Sequence, residues 1–343
     1  MSKLVLSFEE IGQGDVERCG GKAAGLGELT RLGVRVPGGF CIVGDALPYV
    51  VEANGLGKQI AGLAASLNFD DYNAVEQKTA TIRSLIAAAK IPDDLERELR
   101  KSYRGLVTKA QKYVAVRSSV GVKHSSVSSF PGMMDTYHYV LGEEQVLEKI
   151  RECWASLWTA RAAYARQRQK IAHENGVIAP IVQLMVHSEM AGVLFTANPI
   201  TKNTGEIVIE SNWGLGESVV SGKSMNDFFA LDKATLAVKQ RRIVEKTVMV
   251  TMDDHGSGRT ERPVPANRAK EPSVSDAQVA ELGAAGKRIE DHFGFSVDVE
   301  WAFQDRILYI LQARKIRTLG ETPQTKTPAK TPTKAATKTP TKR

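Results

Sequence analysis

The chain has 343 residues, 42% of them hydrophobic and 25% charged, with a formal net charge of +7. That length and composition allow a large buried core in two or three lobes, as in an ordinary soluble enzyme. No apolar run approaches the ~20 residues that cross a bilayer, and residues 1–10 lack the basic-then-apolar layout of a signal peptide, so a cytoplasmic protein with no membrane partner is expected.

In chain order, residues 21–32 read as a helix behind a glycine turn, and residues 34–43 as a strand interrupted by Pro37-Gly38-Gly39. Helical patterns run on to Leu106, with a start signal at Pro92-Asp93-Asp94. Residues 113–116 form a compact strand that presents Arg117-Ser118-Ser119 at its end, followed by a Ser/Gly-rich loop over 121–134. Residues 143–174 read as one long helix, with Val146, Ile150, Trp154, Leu157 and Trp158 at helical spacing, so these tryptophans belong to a core. After Asn175-Gly176 the pattern turns to short strands over 181–186, 192–196, 206–210, 228–231 and 244–251, then a polar loop over 253–272. Ser275-Asp276-Ala277-Gln278 has the form of a capping box for a helix ending near Phe293. Cys19, Cys41 and Cys153 lack any paired spacing, which argues for reduced core residues rather than disulfides or a zinc site.

The last folded segment is a hairpin that carries polar residues. Alternation places Asp298 and Glu300 on one face and Val297, Val299 and Trp301 on the other. With a three-residue loop over 304–306, Phe303 faces Ile307 and Asp298 faces Gln312. Two carboxylates, an amide oxygen and, one pleat further, the Arg314 guanidinium then share a face, the inventory for magnesium and nucleotide phosphates. A two-residue turn would break that register. The bland alternative is an exposed strand face whose polar residues only solubilise the sheet. Behind the hairpin, residues 321–343 hold six basic residues and one acid, so the tail carries +5 and the first 320 residues only +2. The tail is expected to be disordered, a solubilising spacer or a tether to an acidic partner or a polyanion, and nucleic acid is an unlikely partner for the near-neutral remainder.

Four features elsewhere point to the same cleft. Gly20-Gly21-Lys22-Ala23-Ala24-Gly25 puts flexible backbone and one ammonium at a helix mouth, where free N–H groups favour phosphate. Arg117 stands beside two hydroxyls and suits a bidentate phosphate clamp. The small-residue run from Ser128 through Gly132, Met133 and Met134 to Thr136 offers amides to phosphates, and Asn212-Trp213-Gly214-Leu215-Gly216-Glu217 is another glycine-punctuated turn. Each by itself is also ordinary turn chemistry.

Taken jointly and in order, Gly20-Gly21-Lys22, Val116-Arg117-Ser118-Ser119, Pro131-Gly132-Met133-Met134-Asp135-Thr136, Trp213-Gly214-Leu215-Gly216-Glu217, Val299-Glu300-Trp301 and Leu311-Gln312-Ala313-Arg314 closely resemble the nucleotide-binding domain of the phosphoenolpyruvate synthase and pyruvate phosphate dikinase family. The resemblance covers residues 1 to about 318 and implies an α+β, ATP-grasp fold: a helix-rich lobe over 1–178 and a sheet-rich lobe over 179–318 around a nucleotide cleft, then the tail over 319–343. It also implies ATP and Mg2+ as cofactors. Lys22 and Arg117 would contact phosphates, the loop at Gly132 and Met133 would cover them, and Gln183, Leu184 and Met185 would meet the adenine. Glu300 and Gln312 would hold the metal, while Asp298, Arg314 and Arg117 would serve the phosphoryl transfer. In that family the β,γ-pyrophosphoryl group of ATP passes to a histidine on a swivelling domain.

Two departures qualify the resemblance. Lys123-His124 stands where synthase-like members carry an acidic pair, reversing the local charge. The family's phosphohistidine motif is absent, and none of His124, His138, His173, His187, His255 and His292 sits in its context; only His124 neighbours the expected phosphate loop. No barrel-sized region follows Arg314, so the acceptor histidine is expected on a separate subunit that also carries the acceptor site. Among split members, the chain is most similar to the ATP-binding subunit of the phenylphosphate synthases, which activate phenol. A nucleotide-sensing regulatory subunit without turnover, a synthase component acting on pyruvate or another small acceptor, and a self-contained kinase that makes ADP remain the alternatives.

Overall fold

A computed structural model describes residues 3–123, 136–222, 224–256 and 258–316. The expectations placed on Gly132, Met133, His124 and the basic tail fall outside these residues.

The chain begins with β1 (Val5–Ser7), α1 (Val16–Leu32) and β2 (Gly39–Ile42). Four helices follow: α2 (Ala46–Ala53), α3 (Gly57–Ala65), α4 (Tyr72–Ala88) and α5 (Asp93–Leu106). Next come β3 (Tyr113–Val122), β4 (Thr136–Leu141), α6 (Glu143–Ala155), α7 (Ala160–Arg168) and β5 (Gly176–Leu184). Strands β6 (Met190–Phe195) and β7 (Glu206–Trp213), the short α8 (Glu217–Val220), β8 (Asp227–Asp232) and β9 (Val238–Arg242) carry the chain onward. It ends with β10 (Val248–Met252), β11 (Arg259–Pro263), α9 (Ala266–Ala269), α10 (Asp276–Phe293), β12 (Val297–Gln304) and β13 (Ile307–Lys315).

The strands form two main sheets. One is five-stranded, in the order β1-β2-β5-β3-β4, and the other six-stranded, in the order β13-β12-β6-β7-β8-β9, while β10 and β11 form a separate hairpin. Because β5 sits between β2 and β3, the chain changes sheets between Leu184 and Met190, later than the division expected at 178/179. Alternation decides what each face buries. Val114 and Val116 of β3 pack with Ile82, Leu95, Leu99 and Trp154 of the helical layer. Val297, Val299, Trp301 and Phe303 of β12 pack under Val279, Leu282 and Ile289 of α10. Helix α1 lies between the sheets: Cys19, Ala23 and Leu26 pack against Ala179 and Ile181 of β5, and Leu29 joins the core beneath α10. Gly25 permits this crossing, since a Cβ there would stand 3.1 Å from the Ala313 carbonyl oxygen of β13.

Several local expectations are revised. The helix expected over 143–174 breaks after Ala155 into a short 3-10 turn, and Thr159 starts α7 by accepting the Ala162 N–H on its hydroxyl. A hydroxyl at that position stabilises a new start, while the apolar periodicity runs across the break and hides it. Trp154 and Trp158 are core residues. Strand β3 runs six residues past Val116, so Arg117 lies inside a strand rather than at its end. The stretch read as a polar loop over 253–272 contains β11 and α9. Ser275 does form the capping box of α10 with Gln278, and α10 stops at Gly294 in the left-handed conformation. The three cysteines are buried and none of them forms a disulfide. Among the described residues no helix is long and apolar enough to cross a membrane.

Candidate nucleotide and phosphate site

The hairpin β12–β13 departs from the expected register, and the departure builds the site. Its turn has two residues, Asp305 and Arg306, both with positive φ, so Phe303 pairs with Leu308 rather than Ile307. A two-residue turn alone would leave Glu300 facing Leu311. A β-bulge at Glu300/Trp301 shifts the ladder by one residue, and beyond it Glu300 pairs with Gln312 and Asp298 with Arg314. The extra residue, Leu311, exposes its carbonyl to a partner from the other sheet, as bulges commonly do beside functional sites.

That partner is Arg117. Its Nη1 donates to Gln183 Oε1 at 3.0 Å and to the Leu311 carbonyl at 2.9 Å, and its Nη2 donates to Glu300 Oε2 and Gln312 Oε1, both at 3.1 Å. Arg117 comes from β3 and Gln183 from β5 of the five-stranded sheet, whereas the other three acceptors belong to the six-stranded sheet. One nearly buried guanidinium therefore ties the two sheets together through four acceptors, which suits its fixed fork of donors. Beside it, Arg314 Nε donates to both carboxylate oxygens of Asp298 at 2.8 and 2.7 Å. Arg314 is the more exposed partner and Asp298 the more buried.

Lys22 enters from α1. Gly20 breaks that helix with φ 73° and ψ 164°, so residues from Gly21 onward start a fresh N-terminus, and Ser119 Oγ accepts the Ala23 N–H at 3.1 Å. A Cβ on Gly20 would lie 2.4 Å from Ser119 Oγ, so only glycine permits this approach. Lys22 keeps partial solvent access but is ringed by protein. Lost hydration, and then the Arg117 guanidinium, pull its pKa down to about 7, against the attraction of Glu300.

The remaining expected residues separate by face. Gln183 and Met185 point toward the site; Met185 packs with Ala115, Tyr139, Leu215 and Val250. Leu184 points the other way, into the helical layer, with its N–H donated to the Gly38 carbonyl at 2.8 Å. The Met185 N–H is likewise taken, by the Tyr113 carbonyl at 3.0 Å. The hairpin β10–β11 packs on this apolar cluster: the Leu215 N–H donates to the Val250 carbonyl at 2.8 Å, and Gly214, at φ 76°, leaves room where a Cβ would meet that carbonyl at 2.3 Å. Trp213 is a core residue that donates to the Arg268 carbonyl.

Sequence reasoning missed four contributors. The Leu311 carbonyl depends on a bulge with no local signature. Arg259 of β11 forms an ion pair with Glu217 and acts by its charge on His138, and nothing in its neighbourhood marked it. His138 carried only the signal of a histidine outside the phosphohistidine context, and Tyr139 carried none. Among the described residues no group of three or more His, Cys, Asp or Glu gathers as a metal site. The donors that are present, the Glu300 carboxylate beside the Gln312 amide oxygen, nevertheless fit Mg2+, a hard cation usually held by one or two carboxylates with phosphates and water completing its shell.

Arg117, Lys22 and Arg314 stand beside the oxygens of Glu300, Gln312 and Asp298, with an apolar cluster at Met185 alongside, and these are groups from which a nucleotide site can be built. A family model described as pyruvate phosphate dikinase, AMP/ATP-binding domain, matches residues 16–335, and the chain belongs to this family. It is 38% identical to a probable phosphoenolpyruvate synthase of Pyrococcus horikoshii over 93% of this chain and 44% of that protein. It is 39% identical to the probable phosphoenolpyruvate synthase of Methanothermobacter thermautotrophicus over 94% of this chain and 47% of that one. A rifampicin phosphotransferase from Streptomyces is 33% identical over 94% of this chain and 37% of its own length. The chain thus spans under half the length of the curated relatives it matches.

Proposed function

We propose that this chain is the ATP-binding component of a split phosphotransferase with an ATP-grasp fold, whose lobes close on Mg-ATP and pass its β,γ-pyrophosphoryl group to a histidine on a partner subunit. The observation that carries this reading is the convergence of Gln183, Glu300, Gln312 and the Leu311 carbonyl on Arg117, with Lys22 coupled to the same guanidinium. On nucleotide entry, Arg117 exchanges its bonds to Glu300 and Gln312 for phosphate oxygens, which frees those two oxygens for the metal. The metal, when bound, neutralises phosphate charge. Lys22 and the α1 N-terminus hold the phosphates, Asp298 keeps Arg314 aimed at the transferred group, and the apolar side chains at Met185 and Leu215 receive the base, with Gln183 at their edge. The P–O bond between α- and β-phosphates breaks as the histidine nitrogen bonds to the β-phosphorus, and AMP leaves. Water then releases the γ-phosphate and leaves phosphohistidine. Positioning and charge neutralisation supply most of the catalysis in such a transfer.

Relatives named for different products and acceptors share this region, which supports placing acceptor choice outside it. We assign phenol as the acceptor, through a partner subunit of phenylphosphate synthase type working in the cytoplasm. A synthase component for pyruvate or another small acceptor is the second reading, favoured by the phosphoenolpyruvate synthase relatives. The test is incubation with Mg-ATP labelled in the β-phosphate, alone and with the histidine-bearing protein. AMP with label on the partner is the expected result. ADP without AMP would replace the scheme by an ordinary kinase, and binding without turnover would leave a nucleotide sensor.

A further inference from the structure

Strand β4 pairs with β3 so that Val116 faces Tyr137 and Val114 faces Val140, which leaves both His138 and Tyr139 opposite the single residue Ala115. This is a second β-bulge, and it turns two consecutive side chains toward the cleft where regular alternation allows one. Tyr139 takes a left-handed φ of 55°, a costly conformation for an aromatic residue and one found at functional sites. Its ring joins the apolar cluster of Ala115, Met185, Leu215 and Val250 and lies edge-on to Tyr113. His138 sits on the same side as Arg117, and its buried Nδ1 has no hydrogen-bond partner among the described residues. A buried ring nitrogen without a partner costs free energy that folding alone does not recover. The ring is also held neutral: burial, followed by the charges of Arg259 from β11, Arg117 from β3 and Lys22 from α1, draws its pKa down to about 3.

We propose that His138 binds the nucleotide, its Nδ1–H donating a hydrogen bond to the phosphate chain held by Lys22 and Arg117. The assignment rests on the nucleotide reading above and adds to it a contact supplied by β4. A neutral imidazole is suited to this place, because the Arg259 and Arg117 guanidinium charges already act on it and a further charge would be expensive until the polyanion arrives. The bulge supplies the reach, since a regular β4 would turn His138 or Tyr139 into the helical layer.

The test is calorimetric binding of ATP and of AMP to the full chain, with magnesium, comparing wild type with His138→Leu, His138→Asn and His138→Gln. His138→Leu is expected to lose about tenfold or more in ATP affinity, the range for a hydrogen bond to a charged group, and much less for AMP. His138→Asn, whose amide N–H overlays the Nδ1 position, is expected to recover most of the loss; His138→Gln, which reaches the Nε2 position, is not. If the Leu variant does not fold, the Asn and Gln pair carries the comparison. Unchanged ATP affinity in the Leu variant, equal losses for ATP and AMP, or equal recovery by Asn and Gln would each overturn the contact. A wild type that binds AMP and ATP alike shows the contact absent while the base pocket stands, and a wild type that binds neither overturns the nucleotide reading itself.

Discussion

Lys22 shows what position does to a common side chain. Free in solution its ammonium holds a proton to about pH 10.5; in the folded chain, burial and Arg117 bring that down to about 7. Between these values the unfolded chain binds more protons, so stability contributed through Lys22 rises as pH rises from about 7 toward 10. Denaturant titrations at pH 7, 8 and 9 are expected to show this slope in wild type and its loss in Lys22→Met. Binding a polyphosphate favours the charged form, so ATP binding near pH 8 is expected to take up a proton. Calorimetry in buffers of different ionisation enthalpy reads that uptake, and an unchanged proton count would remove Lys22 from the phosphate contacts. At the same scale, Glu300→Ala or Arg314→Ala is expected to abolish label transfer to the partner while thermal unfolding changes little. Arg117 keeps three other acceptors when Glu300 is lost, and Arg314 is largely exposed.

The hairpin β12–β13 is where element geometry decides chemistry. Its turn holds Asp305 and Arg306 at φ 52° and 63°, a region that costs an ordinary L-residue roughly 1 kcal/mol or more. Arg306→Gly is therefore expected to raise the denaturant midpoint, by roughly 0.5–1 kcal/mol after glycine's own chain entropy is offset. Activity should be unchanged, because the turn lies beyond the bulge from the site. Deleting Leu311 is expected to act in the opposite way. It would leave a regular hairpin with Glu300 facing Gln312 still, but without the carbonyl that Arg117 Nη1 uses, and ATP affinity is expected to fall along with stability.

Across the whole molecule, the arm β10–β11 over the apolar cluster at Met185 is anchored at a buried ion pair. Lys246 Nζ donates to Asp227 Oδ1 at 2.8 Å, and Asp227 Oδ2 accepts from both the Ser273 N–H and hydroxyl at 2.8 Å. Lys246 and Asp227 are fully buried, so Lys246→Met leaves a buried carboxylate without its counter-charge. A loss of about 3–5 kcal/mol is expected, read as a lowered denaturant midpoint. If the arm is set by this pair, KM for ATP rises in the same variant under conditions where it remains folded.

Much of this protein was legible in its residues. Alternation alone put Asp298 and Glu300 on one face of β12 and Val297, Val299 and Trp301 on the other, because side-chain direction along a strand depends only on local geometry. The helix start at Ser275, the kink ahead of Lys22 and the burial of Trp154 follow from equally local rules. The break at Thr159 was written in the sequence too, but a continuous apolar stripe outweighed one hydroxyl. What tertiary structure alone decided is pairing between distant segments: the bulges at Leu311 and at His138-Tyr139, the placement of β5 beside β3, and the meeting of Arg117 with residues nearly two hundred positions away. Those outcomes depend on which strand lies beside which and by what offset. A one-residue shift there exchanges the faces while leaving every local preference satisfied.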